Sequence, residues 1–72
     1  MRRKYRGYIL TWTPNDHGGD HIHIKESSQI LGVYEISTGH KTRGLEKHWN
    51  RTLAKAVTQF VVEIRERQAR RP

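Results

Sequence analysis

The feature that most constrains this chain is an apolar stripe in its last third. Trp49, Leu53, Val57, Phe60 and Ile64 recur at spacings of +4, +4, +3 and +4, with Ala56 in the same stripe. That period is helical, and it places these side chains on one face. A helix so patterned must lay its apolar face against another element.

The residues before it supply that element. Tyr8-Ile9-Leu10-Thr11-Trp12-Thr13 is β-branched and aromatic and reads as a strand, ended by Pro14-Asn15-Asp16. From His21 to Glu26 the chain alternates: Ile22 and Ile24 point one way, His21, His23 and Lys25 the other. Ser27-Ser28-Gln29 reads as a tight connection. Ile30 to Ser37 reads as a third strand, with Gly32 marking a bulge or a close approach. Thr38-Gly39 is a turn signal, after which His40 to Arg43 is either a short returning strand or a loop. The expected fold class is α+β, a three-stranded antiparallel sheet packed on one C-terminal amphipathic helix. We expect a single domain over 1–72: a basic arm at 1–6, the sheet at 7–43, the helix at 45–68 and a frayed tail at 69–72. The helix start has two readings, a cap at Asn50 or an earlier start near Leu45 after Gly44.

With 72 residues, 33% of them apolar, the core is small. There is no cysteine, hence no disulfide framework and no thiolate metal site. Met1-Arg2-Arg3-Lys4 runs into Tyr5-Arg6-Gly7 and not into an apolar run. We therefore expect no signal peptide, no membrane span and a cytoplasmic location.

The formal net charge is +7, and it is unevenly spread. Arg2, Arg3, Lys4 and Arg6 make the start basic. Between residues 7 and 40, Lys25 stands alone against Asp16, Asp20, Glu26 and Glu35. From residue 41 onward nine Lys/Arg face Glu46, Glu63 and Glu66. Basic flanks suit a polyanion, and the acidic, histidine-rich middle suits proton or metal chemistry.

That middle is Asp16-His17-Gly18-Gly19-Asp20-His21-Ile22-His23. Residues at i and i+2 of a strand share a face, so His21 and His23 can converge on one ligand. With His17 and Asp20 they form a candidate metal set, for which zinc is the fitting ion, although no cofactor is required. They are also candidate catalytic residues for metal-free RNA cleavage. One imidazole would take the 2′-hydroxyl proton, a second group would protonate the leaving oxygen, and Lys25, Lys41 or Arg43 would stabilise the phosphorane. The plainer reading is two histidines on the wet face of a sheet. His40 and His48 read as surface residues.

For nucleic-acid binding the candidates are Arg2, Arg3, Lys4 and Arg6 of the arm, Lys41 and Arg43 of the hairpin tip, and Arg51, Lys55 and Arg65. The last three lie within about 40° of one line on the helix, opposite the apolar stripe. Tyr5 and Tyr8 could stack on bases. The plainer reading is a solubilising terminus and a wet helix face. Trp12, Trp49, Tyr34 and Phe60 are assigned to packing. The chain holds no phosphate loop, dinucleotide fingerprint or nucleophile elbow.

Asp16-His17, His21-Ile22-His23, Ile36-Ser37-Thr38-Gly39 and the helix from Leu53 to Glu66 together resemble the domain of unknown function 4160 family. In that family a strand ends in Asp-His, and a Pro-Pro loop, His-x-His, a strand, a Thr-Gly-type turn and a helix follow. Here Gly19-Asp20 stands where the family has Pro-Pro, the tryptophan common at the helix end is missing, and the tail is rich in arginine. The resemblance implies a β-β-β-α domain and a two-gene module of toxin–antitoxin type, with a small protein encoded by the adjacent gene as partner. A looser resemblance, through Thr38-Gly39-His40-Lys41, is to the arm-binding domains of phage integrases, which place a sheet in the major groove.

The expected function is a small, basic, non-enzymatic nucleic-acid-binding module with DNA or RNA as partner. One alternative is a histidine-dependent ribonuclease toxin. The other is a metal-stabilised protein-interaction domain.

Overall fold

The computed structural model describes residues 1–14 and 20–70. Among them the chain forms β1 (Arg2–Tyr5), β2 (Tyr8–Trp12), β3 (His21–Glu26), β4 (Gln29–Glu35), β5 (Lys41–Thr42), a 3₁₀ turn (Leu45–His48) and one long helix, α1 (Arg51–Ala69). The strands form one sheet in the order β1-β2-β3-β4-β5, every neighbouring pair antiparallel.

The α+β class with an antiparallel sheet and one C-terminal helix is therefore present, but the sheet has five strands where three were expected. The first extra strand is the stretch expected to be a free basic arm. Arg2 pairs with Thr11, Arg3 with Leu10, Lys4 with Ile9 and Tyr5 with Tyr8. Arg6 and Gly7 close the hairpin, with φ of 48° and 90°. A two-residue turn with both φ positive carries the twist that a hairpin needs, so the strand forms despite its charge. Beyond Arg2 the ladder continues, since the Met1 nitrogen donates to the Trp12 carbonyl at 2.9 Å and Trp12 N–H donates to the Met1 carbonyl at 2.8 Å. The second extra strand is Lys41–Thr42, the returning strand of the two alternatives, paired with Tyr34 and Val33.

Other boundaries move less. β4 ends at Glu35, and the ladder to β3 runs on by one bond, Ile36 N–H donating to the Asp20 carbonyl at 2.8 Å. The helical region expected over 45–68 is two elements, the 3₁₀ turn and α1. Asn50 is the cap, its Oδ1 accepting from Leu53 N–H at 2.8 Å. Trp49 thus precedes the helix, in extended backbone.

The helix covers one face of the sheet. Tyr8, Leu10 and Trp12 of β2, Ile22 and Ile24 of β3 and Leu31 of β4 are buried with Leu45 and with Leu53, Ala56, Val57, Phe60 and Ile64 of α1. Gly32 occupies the place where the 3₁₀ turn meets the sheet. It has φ +150°, and a Cβ there would lie 2.6 Å from Leu45 Cβ and from the Thr42 carbonyl oxygen. The pairing slips beside it, from Ile24↔Gly32 to Lys25↔Ile30, so Leu31 is the extra residue of a bulge. Gly32 is both a bulge neighbour and a close approach.

Candidate nucleic-acid interface

Strand alternation decides where each cation goes. Arg3 lies over the helix side, where its Nε donates to Glu63 Oε1 at 2.8 Å. Arg2 and Lys4, one residue either side, therefore project from the opposite face, which no other described element covers. Across the strands, register aligns Arg2 with Thr11, His23, Val33 and Thr42 on that face, and Lys4 with Ile9, Lys25 and Ile30. Ile30 is 72% exposed. At about 4.8 Å per strand this face spans about 19 Å from β1 to β5. It presents Arg2, Lys4, Lys25 and Arg43, with Glu35 paired opposite His21.

His21 and His23 do share a face, as their spacing predicts. With Val33, Glu35, Thr42 and Arg43 they line a cavity of about 210 Å³. The imidazoles thus share their recess with both a guanidinium and a carboxylate. The positive φ of Arg43, 56°, bends the chain after β5 so that its side chain lines this cavity.

Asp20 does not turn toward the histidines. Its Oδ1 accepts from Ser37 N–H at 2.7 Å and its Oδ2 from Ser37 Oγ at 2.9 Å. Its carboxylate is spent on closing the turn after β4. Among the described residues no group of three His, Asp or Glu side chains could hold a metal ion. His17 and Asp16, the remaining members of the histidine segment, lie outside the described residues.

The second group of cations lies at the β1 edge. Arg6, at the tip of the β1–β2 hairpin, sits with Tyr5, Arg51, Thr52 and Lys55 around a cavity of about 170 Å³. The Arg6 guanidinium is 6.0 Å from the Tyr5 ring centre. Farther along the same edge, Met1 and Arg3 face Glu63, Glu66 and Arg67 of the helix and its C-cap, Arg70. The chain's two basic flanks therefore meet along β1, one end of the helix over Tyr5 and the other over Met1. Sequence reasoning missed Arg67 and Arg70 as members of this edge, since only the antiparallel run of α1 over β1 places them there.

Other expected contacts are redistributed. Arg65, about 80° from Lys55 around the helix axis, lines a different hollow, with Tyr34, Trp49, Val61 and Val62. Trp49 stacks on Tyr34, ring centres 5.6 Å apart and 7° from parallel, and the Lys41 ammonium lies 4.7 Å from the Trp49 ring centre. Lys41 is thus held back against the protein by this contact, while Gly39 N–H closes the turn itself on the Glu35 carbonyl at 2.8 Å. Tyr8 cannot stack on a base, being buried with its hydroxyl accepting from Asn50 Nδ2 at 3.1 Å. Tyr5 remains half-buried at the basic edge.

No family model, curated protein or solved structure matches this chain. No described helix is long and apolar enough to cross a membrane.

Proposed function

We propose that this protein is a small, non-enzymatic module that binds DNA or RNA through phosphate contacts. The observation that carries this reading is the meeting of the two basic flanks along β1, with Arg6, Arg51 and Lys55 on the helix side and Arg2 and Lys4 on the other. Cations on both sides of one edge strand can follow a curved, charged backbone. The uncovered sheet face carries no Tyr, Trp or Phe among its described residues, so it is not a base-stacking platform and favours phosphate contacts. The kinship with the domain of unknown function 4160 family belongs to the same proposal, supported by His21-x-His23 on β3 and by the turn at Ser37-Thr38-Gly39. A cytoplasmic location is proposed with it. Titrating labelled duplex DNA and single-stranded RNA over a salt series tests the function. Binding that weakens steeply with salt is expected, and a flat response, or no complex at low salt, overturns it.

A second reading is favoured by the cavity that His21, His23 and Arg43 share. In it the protein is a ribonuclease toxin, held in check by a small partner protein. One imidazole removes the 2′-hydroxyl proton as the 2′-oxygen bonds to phosphorus. The bond to the 5′-oxygen breaks, and the other residue, as imidazolium, returns a proton to that oxygen while Arg43 balances the phosphorane charge. RNA cleavage lost in both His21→Ala and His23→Ala, with the melting temperature kept, is the outcome expected of this reading. Intact RNA after incubation with the wild-type protein removes it.

A further inference from the structure

We propose that Arg6, Arg51 and Lys55 form a pocket for the terminal phosphate of a nucleic-acid strand, with the adjoining base against the Tyr5 ring. The inference rests on the nucleic-acid reading above and names the part of the strand that this edge takes.

Three positive side chains from two elements, a hairpin tip and the first turns of α1, surround one cavity of about 170 Å³. Thr52 adds a hydroxyl. A second, shallower hollow of about 460 Å³ adjoins it and shares Tyr5, Arg51 and Lys55, with Ala54, Thr58 and Gln59 completing its wall. Among the described residues no acidic side chain lines either. Along the rest of the β1 edge, by contrast, Glu63 and Glu66 interrupt the arginines, and Glu63 is bonded to Arg3. The uncompensated charge is therefore concentrated at one end of the edge.

That concentration selects the ligand. An internal phosphodiester carries one negative charge, and one cation balances it. A terminal phosphomonoester carries about 1.5 to 2 at neutral pH and three acceptor oxygens. Two guanidinium groups supply paired donors in a fixed fork, and the lysine adds a point charge. The neighbouring hollow offers what the next part of the strand requires: an aromatic ring for a base to stack on and small side chains that leave room for it. Arg6 already lies against the Tyr5 ring, so a phosphate bound to Arg6 brings its base to that ring.

The test is an amide chemical-shift titration of the isotope-labelled full chain with thymidine dinucleotides bearing a 5′-phosphate, a 3′-phosphate or none, and with inorganic phosphate. A terminally phosphorylated dinucleotide should shift Arg6, Gly7, Arg51, Thr52 and Lys55 in a saturable way. It should bind at least tenfold tighter than the unphosphorylated one and than inorganic phosphate. The double variant Arg51→Ala, Lys55→Ala should lose at least tenfold in affinity. Both positions are exposed on a helix and alanine favours that conformation, so the fold is kept. Equal affinity for the unphosphorylated dinucleotide, equal affinity for inorganic phosphate, or shifts centred on His21, His23 and Arg43 would each overturn the assignment. The general reading fails separately, through the absence of salt-dependent binding to long DNA or RNA. A terminal-phosphate site survives that failure if the dinucleotide shifts persist.

Discussion

Gly32 is the residue on which the covered face closes. Its φ of +150° suits glycine, and its missing side chain leaves the space into which Leu45 and the Thr42 carbonyl come. Gly32→Ala should lower stability by about 2–4 kcal/mol, combining backbone strain with overpacking. Urea denaturation measures this, and a loss under about 0.5 kcal/mol, the usual range for inconsequential surface changes, would contradict the geometry. The sequence marked this position as exceptional, because a glycine inside a β-branched run asks for a reason. It did not name Leu45 as the neighbour, since that contact joins β4 to a turn outside the sheet. Asp20 shows the opposite outcome. Its place among histidines suggests a metal ligand, whereas its carboxylate is bonded to Ser37, 17 residues away. A short acidic side chain caps turns as readily as it binds ions, and only the return of the chain after β4 decides between them.

Among the elements, α1 is held at its start by one side chain with two tasks. Asn50 Oδ1 caps the helix and its Nδ2 donates to the Tyr8 hydroxyl, tying α1 to β2. Asn50→Ala should destabilise the protein by about 1–2 kcal/mol, the cost of a lost cap. Asn50→Asp, which keeps the capping oxygen, should recover most of that in a thermal melt. If the two variants melt alike, the cap is not what anchors α1. The apolar stripe made this helix legible from residue spacing alone, and the β-branched, aromatic run of β2 and the alternation in β3 did the same for the sheet. β1 was not legible. Arg2-Arg3-Lys4-Tyr5 has no apolar alternation, because an edge strand with cations on both faces needs none. What makes it a strand is its pairing with β2 through the Arg6-Gly7 turn.

At the scale of the whole molecule, the question is how a net charge of +7 is arranged. If about six phosphates are neutralised, log K should fall against log salt with a slope of about −5.4 on duplex DNA. Removing Arg51 and Lys55 together should bring the slope to about −3.6. An unchanged slope in that variant would move the contact to the open sheet face and its line of Arg2, Lys4 and Lys25. The sequence alone determined the fold class, the apolar helix face, the pairing of His21 with His23 on one strand face and the basic character of both flanks. Each of these follows from periodicity or composition, which are local properties. Tertiary structure alone decided that Arg3 is bonded to Glu63, that Arg43 joins the imidazoles and that Arg6 meets Arg51. These outcomes depend on how α1 crosses the sheet and where each turn bends, and no spacing along the chain encodes meetings between residues so far apart in sequence.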